Sequence, residues 1–325
     1  MPGEPRRRRG CLFKGLVAAG VLVGLIVIVV GVLVWYTRSH QEVELPADGT
    51  PLQTAPPMTL LDQPAAFTSA FVQQGLNRRE IAYVMPPDLA PGEQLPVVLF
   101  LHGVSTSPGL MQQTIGLGDA VVARRFIAVV PHGIAESWNA GKCCRPSMTL
   151  GIDDVAFLDA VITDAIRRPE IDAERVFMVG ESNGGIMTYR YLCEHADRLA
   201  GAASVIGTNQ TGCLPSEPLP LLHIAASADE VIPYDGGTSS AARLFSAAPF
   251  PPVMDTLRAI AESESCTPDP ATVPEGPVEV TEWQGCRDEV PLRLVTVIGA
   301  THLWPRGDQF KATDAVLDFF GLAPS

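Results

Sequence analysis

At 325 residues with 46% hydrophobic content, the chain can bury one α/β core of about 250 residues, which excludes a second domain of equal size. Its formal charge of −13 is unevenly placed: residues 1–40 carry Arg6, Arg7, Arg8, Arg9, Lys14 and Arg38 against Glu4, a net of +5, so the remainder carries −18. A body this acidic excludes nucleic acid as a partner, because it repels phosphates.

Residues 1–14 form a basic tail. Residues 15–36 begin with an uncharged apolar run long enough, at about 1.5 Å per residue, to cross a hydrocarbon core about 30 Å thick. The arginines before it and Trp35-Tyr36 at its end predict a transmembrane helix with its amino terminus in the cytoplasm. No small-residue cleavage site follows, so the segment reads as a retained signal anchor that holds an extracytoplasmic body on the membrane, with Cys11 a bystander. Residues 37–65 contain Pro46, Pro51, Pro56, Pro57 and Pro64, a stalk composition, and the domain spans 66–325.

Within that domain, residues 79–85 alternate like an edge strand, and 96–101 and 126–130 read as buried strands ending in His102-Gly103 and Pro131-His132-Gly133. A long loop through Trp138 and the pair Cys143-Cys144 reaches Asp153-Asp154, which open a helix to Arg168 by capping it and favouring its dipole. Residues 176–179 are the next buried strand and 183–193 the next helix. Strands at 200–206, 219–225, 278–283 and 292–298 follow, with helices at 241–246, 254–262 and 310–320. The alternation predicts an α/β fold, a mostly parallel sheet with helices on both faces.

Beyond the apolar run lie six cysteines, an even set that permits disulfides. Cys266 and Cys286 bracket a Pro-rich segment and look like a local staple. Cys143, Cys144, Cys193 and Cys213 are then expected to pair among themselves, one or both of the adjacent pair reaching Cys193 or Cys213. No C-x-x-C or paired-His spacing occurs, so no metal is expected.

The strand at 176–179 runs into Gly180-Glu181-Ser182-Asn183-Gly184, the G-x-S-x-G of a nucleophile elbow, where glycines allow a strained serine to stand at a sharp strand-to-helix turn. A serine hydroxyl needs a base, and the base needs a carboxylate to fix its tautomer. In chain order the acid and then the histidine follow, each after a strand: Asp229, with Glu230 its rival, and His302. His223 lies inside a strand and reads as a packed core residue, His195 ends the helix at 183–193, and His40 lies beside the membrane segment. An oxyanion needs two backbone N–H donors, for which Asn183 and Val104 are the candidates; His102 more naturally braces the Val104 loop than acts as a base.

Six stretches together resemble the esterase and polyhydroxybutyrate depolymerase group of the α/β-hydrolases, which is similar to the carbohydrate esterases that include feruloyl and acetylxylan esterases. They are Gly75-Leu76-Asn77-Arg78; Leu101-His102-Gly103; Trp138-Asn139-Ala140-Gly141 with Cys143-Cys144 and Asp153-Asp154-Val155; Gly180 to Gly185; Ala228-Asp229 to Tyr234; and Trp283-Gln284-Gly285-Cys286 with His302-Leu303-Trp304-Pro305. The resemblance, over roughly 75–322, implies cofactor-free hydrolysis of esters on polymers or their fragments, with Ser182, Asp229 and His302 at the catalytic positions. It suggests that Trp304 lines the acyl or alcohol pocket, with His102 and Trp138 as further candidate substrate contacts. The chain departs from the family at Ala225-Ala226, Arg145-Pro146 and Ile298-Gly299-Ala300, changes that touch pocket walls more than mechanism. The expected activity is that of a serine esterase. The alternatives are a peptidase or acyltransferase on the same fold, or a non-catalytic surface binding protein.

Overall fold

The computed structural model describes residues 22–33, 41–59 and 64–324. Two short strands, β1 (Val43–Glu44) and β2 (Met58–Thr59), precede the hairpin of β3 (Ala66–Gln74) and β4 (Asn77–Met85). Then come β5 (Leu95–Leu101), α1 (Pro108–Ile115), α2 (Leu117–Arg124), β6 (Ile127–Pro131), the single turn α3 (Ser147–Leu150), α4 (Asp154–Ile166) and β7 (Ile171–Glu181). They are followed by α5 (Asn183–His195), β8 (Gly201–Val205), β9 (Leu221–Ala226), α6 (Val253–Ser263), β10 (Ala271–Glu275), β11 (Val278–Trp283) and β12 (Leu292–Val297). The small hairpin of β13 (Arg306–Gly307) and β14 (Phe310–Lys311) leads into α7 (Ala312–Phe319).

The main sheet runs β1-β3-β4-β6-β5-β7-β8-β9-β12-β11-β10, with β2 also on β3. The expectation of a mostly parallel sheet is corrected: β6-β5-β7-β8-β9-β12 is parallel, both flanks are antiparallel, and the sheet is mixed. The connections explain this. Only Gly75-Leu76 joins β3 to β4 and only Gly276-Pro277 joins β10 to β11. Two residues close a hairpin, whereas a parallel crossover needs a dozen or more. The strand read as an edge, β4, is flanked by β3 and β6, because residues 66–74 add an alternating strand that the sequence reading did not assign. The helix expected at 241–246 is a single 3₁₀ turn, Ala242–Leu244.

The transmembrane helix expected at 15–36, and with it the membrane-anchored extracytoplasmic placement, is also corrected: no helix among the described residues is long and apolar enough to cross a membrane. Of that segment, residues 22–33 are described and helical. The basic tail at 1–14, the rest of the 15–36 segment and His40 lie outside the described residues. The segment read as a stalk lies along the domain where it is described: Val43 pairs with Gln74, Met58 with Phe67, and the Leu52 N–H donates to Asp164 Oδ1 at 2.5 Å.

Each face of the sheet carries its own core, as period-2 alternation dictates. Val97, Leu99 and Leu101 of β5 pack on the face covered by α4, α5 and α6, while Val98 and Phe100 pack on the face covered by α1, α2 and α7. Register brings the carboxyl ends of the central strands to one edge, since Leu101 pairs with Gly180, Glu181 with Val205, and Val297 with Ala226. The loops that leave that edge hold the candidate site.

Candidate active site

Ser182 stands between β7 and α5 with φ +52° and ψ −115°, a conformation non-glycine residues rarely hold. The surrounding backbone forces it. A Cβ on Gly180 would lie 2.1 Å from the Gly184 carbonyl, and one on Gly184 would lie 2.1 Å from the Leu101 oxygen. The glycines of the pentapeptide are therefore required by close approach of backbone to backbone.

Ser182 Oγ lies 2.8 Å from His302 Nε2, and His302 Nδ1 lies 2.7 Å from Asp229 Oδ2. Asp229 leaves the end of β9 with its side chain almost fully buried, and its Oδ1 accepts from the Val231 and Ile232 N–H groups, each at 2.8 Å. Those bonds aim Oδ2 at the imidazole. Glu230, the rival acid, is exposed and makes no such contact. With a carboxylate on Nδ1, that nitrogen carries the proton and Nε2 is free to accept one from the hydroxyl.

The loop after β5 passes against the serine: a Cβ on Gly103 would lie 3.5 Å from Ser182 Cβ. Val104 follows Gly103 in that loop and Asn183 follows Ser182; these are the two residues singled out as N–H donors. His102, beneath them, is fully buried. The Gly133 N–H donates to its Nε2 at 3.0 Å, so Nδ1 carries the proton and donates to the Gly103 oxygen at 2.8 Å. Burial pushes its pKa down to about 4, so the ring is neutral, a brace for the loop.

Of the three residues suggested as substrate contacts, His102 and Trp138 present no surface at all. Trp138 instead donates its indole N–H to the His102 oxygen at 2.9 Å. Trp304 is 2% exposed, donates to Thr313 Oγ1 at 3.1 Å, and forms part of the wall of a cleft of about 890 Å³. The Trp138 ring packs into the core under α4, α5 and α6, and the Trp304 ring packs into the opposite core while also meeting the cleft.

Asp153 caps α4, its Oδ1 accepting from the Ala156 N–H at 3.0 Å, as its place in the sequence predicts. Asp154 does more: fully buried, it pairs with Arg79 at 2.8 Å and accepts from the Asn139 N–H at 2.7 Å, tying the Trp138 loop to β4. Cys266 and Cys286 are bonded as expected, but Cys143 bonds Cys144, and Cys193 bonds Cys213. The expected link between those two pairs does not form, because Cys193 at the end of α5 meets the turn after β8 while the adjacent cysteines are buried in their own loop. The sequence reading missed Glu181 and Leu303 as cleft-lining residues, and their position next to Ser182 and His302 was the available signal.

No family model matches the chain. NocK of Nocardia uniformis subsp. tsuyamanensis, itself assigned as an esterase, is 30% identical over 256 residues, 73% of this chain and 73% of its own length. Feruloyl esterase C of Emericella nidulans is 26% identical over 265 residues, 76% of this chain and 86% of that protein. Feruloyl esterase B of Piromyces equi is 26% identical over 256 residues, and the match spans 45% of its length. Among solved structures, the acetyl xylan esterase from Aspergillus awamori superposes with a TM-score of 0.55 at 15% identity over 75% of this chain and 94% of the other, a likeness of fold. With a strand-to-helix serine at the carboxyl edge of the sheet and esterases as relatives along most of its length, the chain belongs to the α/β-hydrolase esterase family and is a carboxylic ester hydrolase.

Proposed function

We propose that the ester is cleaved through an acyl-enzyme on Ser182. His302 Nε2 takes the hydroxyl proton as Oγ attacks the ester carbonyl, and returns it to the departing alcohol. Water then attacks the acyl-enzyme with the same imidazole as base, which releases the acid and restores the serine. Asp229 holds the imidazole in the required tautomer and stabilises its cationic form. The N–H groups of Asn183 and Val104 are the donors for the tetrahedral oxyanion, each worth about 3 kcal/mol of barrier. The observation that carries this reading is the continuous line of contacts from Ser182 Oγ through His302 to Asp229, at 2.8 and 2.7 Å.

The catalytic unit is the body at 66–325, and its substrates are acetyl or hydroxycinnamoyl esters on polysaccharides or their fragments. The names of the feruloyl esterase relatives support that class. The test assays the full chain on p-nitrophenyl acetate, methyl ferulate, acetylated xylan, hydroxybutyrate oligomers and a peptide amide, with Ser182→Ala beside it and a fluorophosphonate as covalent label. Turnover of the first three with loss in Ser182→Ala supports the reading. Full turnover by Ser182→Ala overturns the mechanism, and preference for the amide or for hydroxybutyrate overturns the substrate class.

A further inference from the structure

A cleft of about 890 Å³ opens beside the reacting groups, between α1, the end of β12 and the β13–β14 hairpin. Its inner end is made by their neighbours in the chain, for Glu181 precedes Ser182 and both Thr301 and Leu303 flank His302. Thr106, also on its wall, lies with Oγ1 3.7 Å from the Cβ position of Gly103, which in turn abuts Ser182. The cleft therefore lies next to the nucleophile, lined by the residues on either side of it in the chain.

Three large aliphatic side chains stand open in it: Leu110 is 53% exposed, Ile298 52% and Leu303 71%. Their exposure is built in. Leu110 sits in the first turn of a helix whose cap, Ser107, accepts from the Leu110 N–H at 3.2 Å. The loop that carries Ile298 and Leu303 is pinned where the Gly299 N–H meets Ser227 Oγ at 2.8 Å and the Ala228 N–H meets the Ala300 oxygen at 2.9 Å. Apolar groups held in water around a concave site mark a place where an apolar ligand displaces that water.

The charges are arranged asymmetrically. At the outer end Arg306 and Asp308 are both exposed and of opposite sign, and Arg306 also reaches the Thr114 oxygen at 3.5 Å. At the inner end the carboxylate of Glu181 stands largely buried.

We propose that this cleft binds the neutral, apolar group of the ester, and that Glu181 at its inner end selects against esters whose group ends in a carboxylate. The inference rests on attack by Ser182 and deepens it by naming the substrate class. Burial pushes the Glu181 carboxyl above its usual range, while His302 and the Trp304 N–H pull it back. A second anion brought beside it would meet like charge. Glu181 is a specificity-determining residue and takes no part in the proton transfers.

The experiment compares kcat/KM of the full chain over two series. One is p-nitrophenyl esters from acetate to hexanoate, the other alkyl acetates from methyl to hexyl, and the matched pair p-nitrophenyl butyrate and p-nitrophenyl hemisuccinate is added. One series is expected to rise roughly tenfold for each two methylenes, and which one rises says whether the acyl or the alcohol side enters the cleft. Leu303→Asn should flatten that rise severalfold. The butyrate to hemisuccinate ratio should exceed tenfold and narrow at least threefold in Glu181→Gln. Flat responses in both series, or a ratio unmoved by Glu181→Gln, overturn the proposal. Fluorophosphonate labelling keeps the two readings apart: retained labelling at Ser182 with flat responses sinks the cleft alone, while loss of serine dependence sinks the mechanism beneath it.

Discussion

Asn183 and Trp138 hold one another in both directions: the Trp138 N–H donates to Asn183 Oδ1 at 2.7 Å, and Asn183 Nδ2 donates to the Trp138 oxygen at 3.0 Å. Because the Trp138 indole also holds the His102 carbonyl, three loops are locked around the serine. Asn183→Ala leaves the buried Trp138 N–H unpaired, while the Trp138 oxygen keeps the Ala140 and Cys144 N–H donors, so the unfolding free energy should fall by about 1–3 kcal/mol. The loosened elbow should also lower kcat by at least tenfold. Denaturant titration and steady-state kinetics check both, and a variant within about 0.5 kcal/mol of the parent contradicts the lock.

Asp229→Asn preserves the fold, since the new amide oxygen still accepts from the Val231 and Ile232 N–H groups. It presents an NH₂ to His302 Nδ1, which favours the wrong tautomer. The expected loss in kcat is about 10⁴-fold. Glu230→Gln, a change on the exposed neighbour, should stay within about twofold of the parent, and kinetics on any turned-over ester decide between the two acids.

Gly184→Ala places a Cβ 2.1 Å from the Leu101 oxygen in the middle of the sheet edge. Neither backbone can retreat without breaking β5 from β7, so the variant should lose more than about 4 kcal/mol and express as insoluble material. Gly109→Ala, in α1 with open space around the new methyl, should match the parent or exceed it by about 0.5 kcal/mol. Soluble yield and thermal midpoint measure the contrast.

The pair of Arg79 and Asp154 is buried at both ends and lies 2.8 Å apart. The Arg79 guanidinium also lies over the Phe157 ring at 3.4 Å. Arg79→Met strands a buried carboxylate and should cost about 3–5 kcal/mol, whereas Arg79→Met with Asp154→Leu should recover at least half of that. A double variant no better than the single one would show that the pair contributes packing alone.

His102 and His223 are buried and neutral, their pKa values depressed by desolvation to about 4 and about 3. In the unfolded chain they take up a proton near pH 6.5, so between there and the folded values the unfolded state binds more protons. Their contribution is complete above about pH 6.5 and is lost as pH falls toward 4, which predicts a steep decline in stability over that window. Denaturant midpoints measured at pH 7 and pH 4.5 test it. In His223→Gln the decline should be shallower.

Much of the architecture was legible because its signals are local. The β-branched run before Gly180, the period-2 alternation in 79–85 and the capping Asp153 each depend on neighbours a few residues away. Ser182, Asp229 and His302 stood out because each follows an apolar strand, and the folded chain brings them within hydrogen-bond distance. The antiparallel flanks were less legible, although the two-residue turns at Gly75 and Gly276 carried the information.

By itself the amino-acid order determined where the central strands and the helices that open at Asp154 and Asn183 lie, which serine sits in the strained turn, and that Cys266 and Cys286 close a local loop. Tertiary structure alone decided that His102 and Trp138 are buried supports, and that Glu181, Leu110 and Leu303 meet in one cleft. The physical reason is range. Propensity and steric rules act over a turn of chain, whereas burial, pairing and pocket walls arise from residues that the sheet brings together across more than a hundred positions.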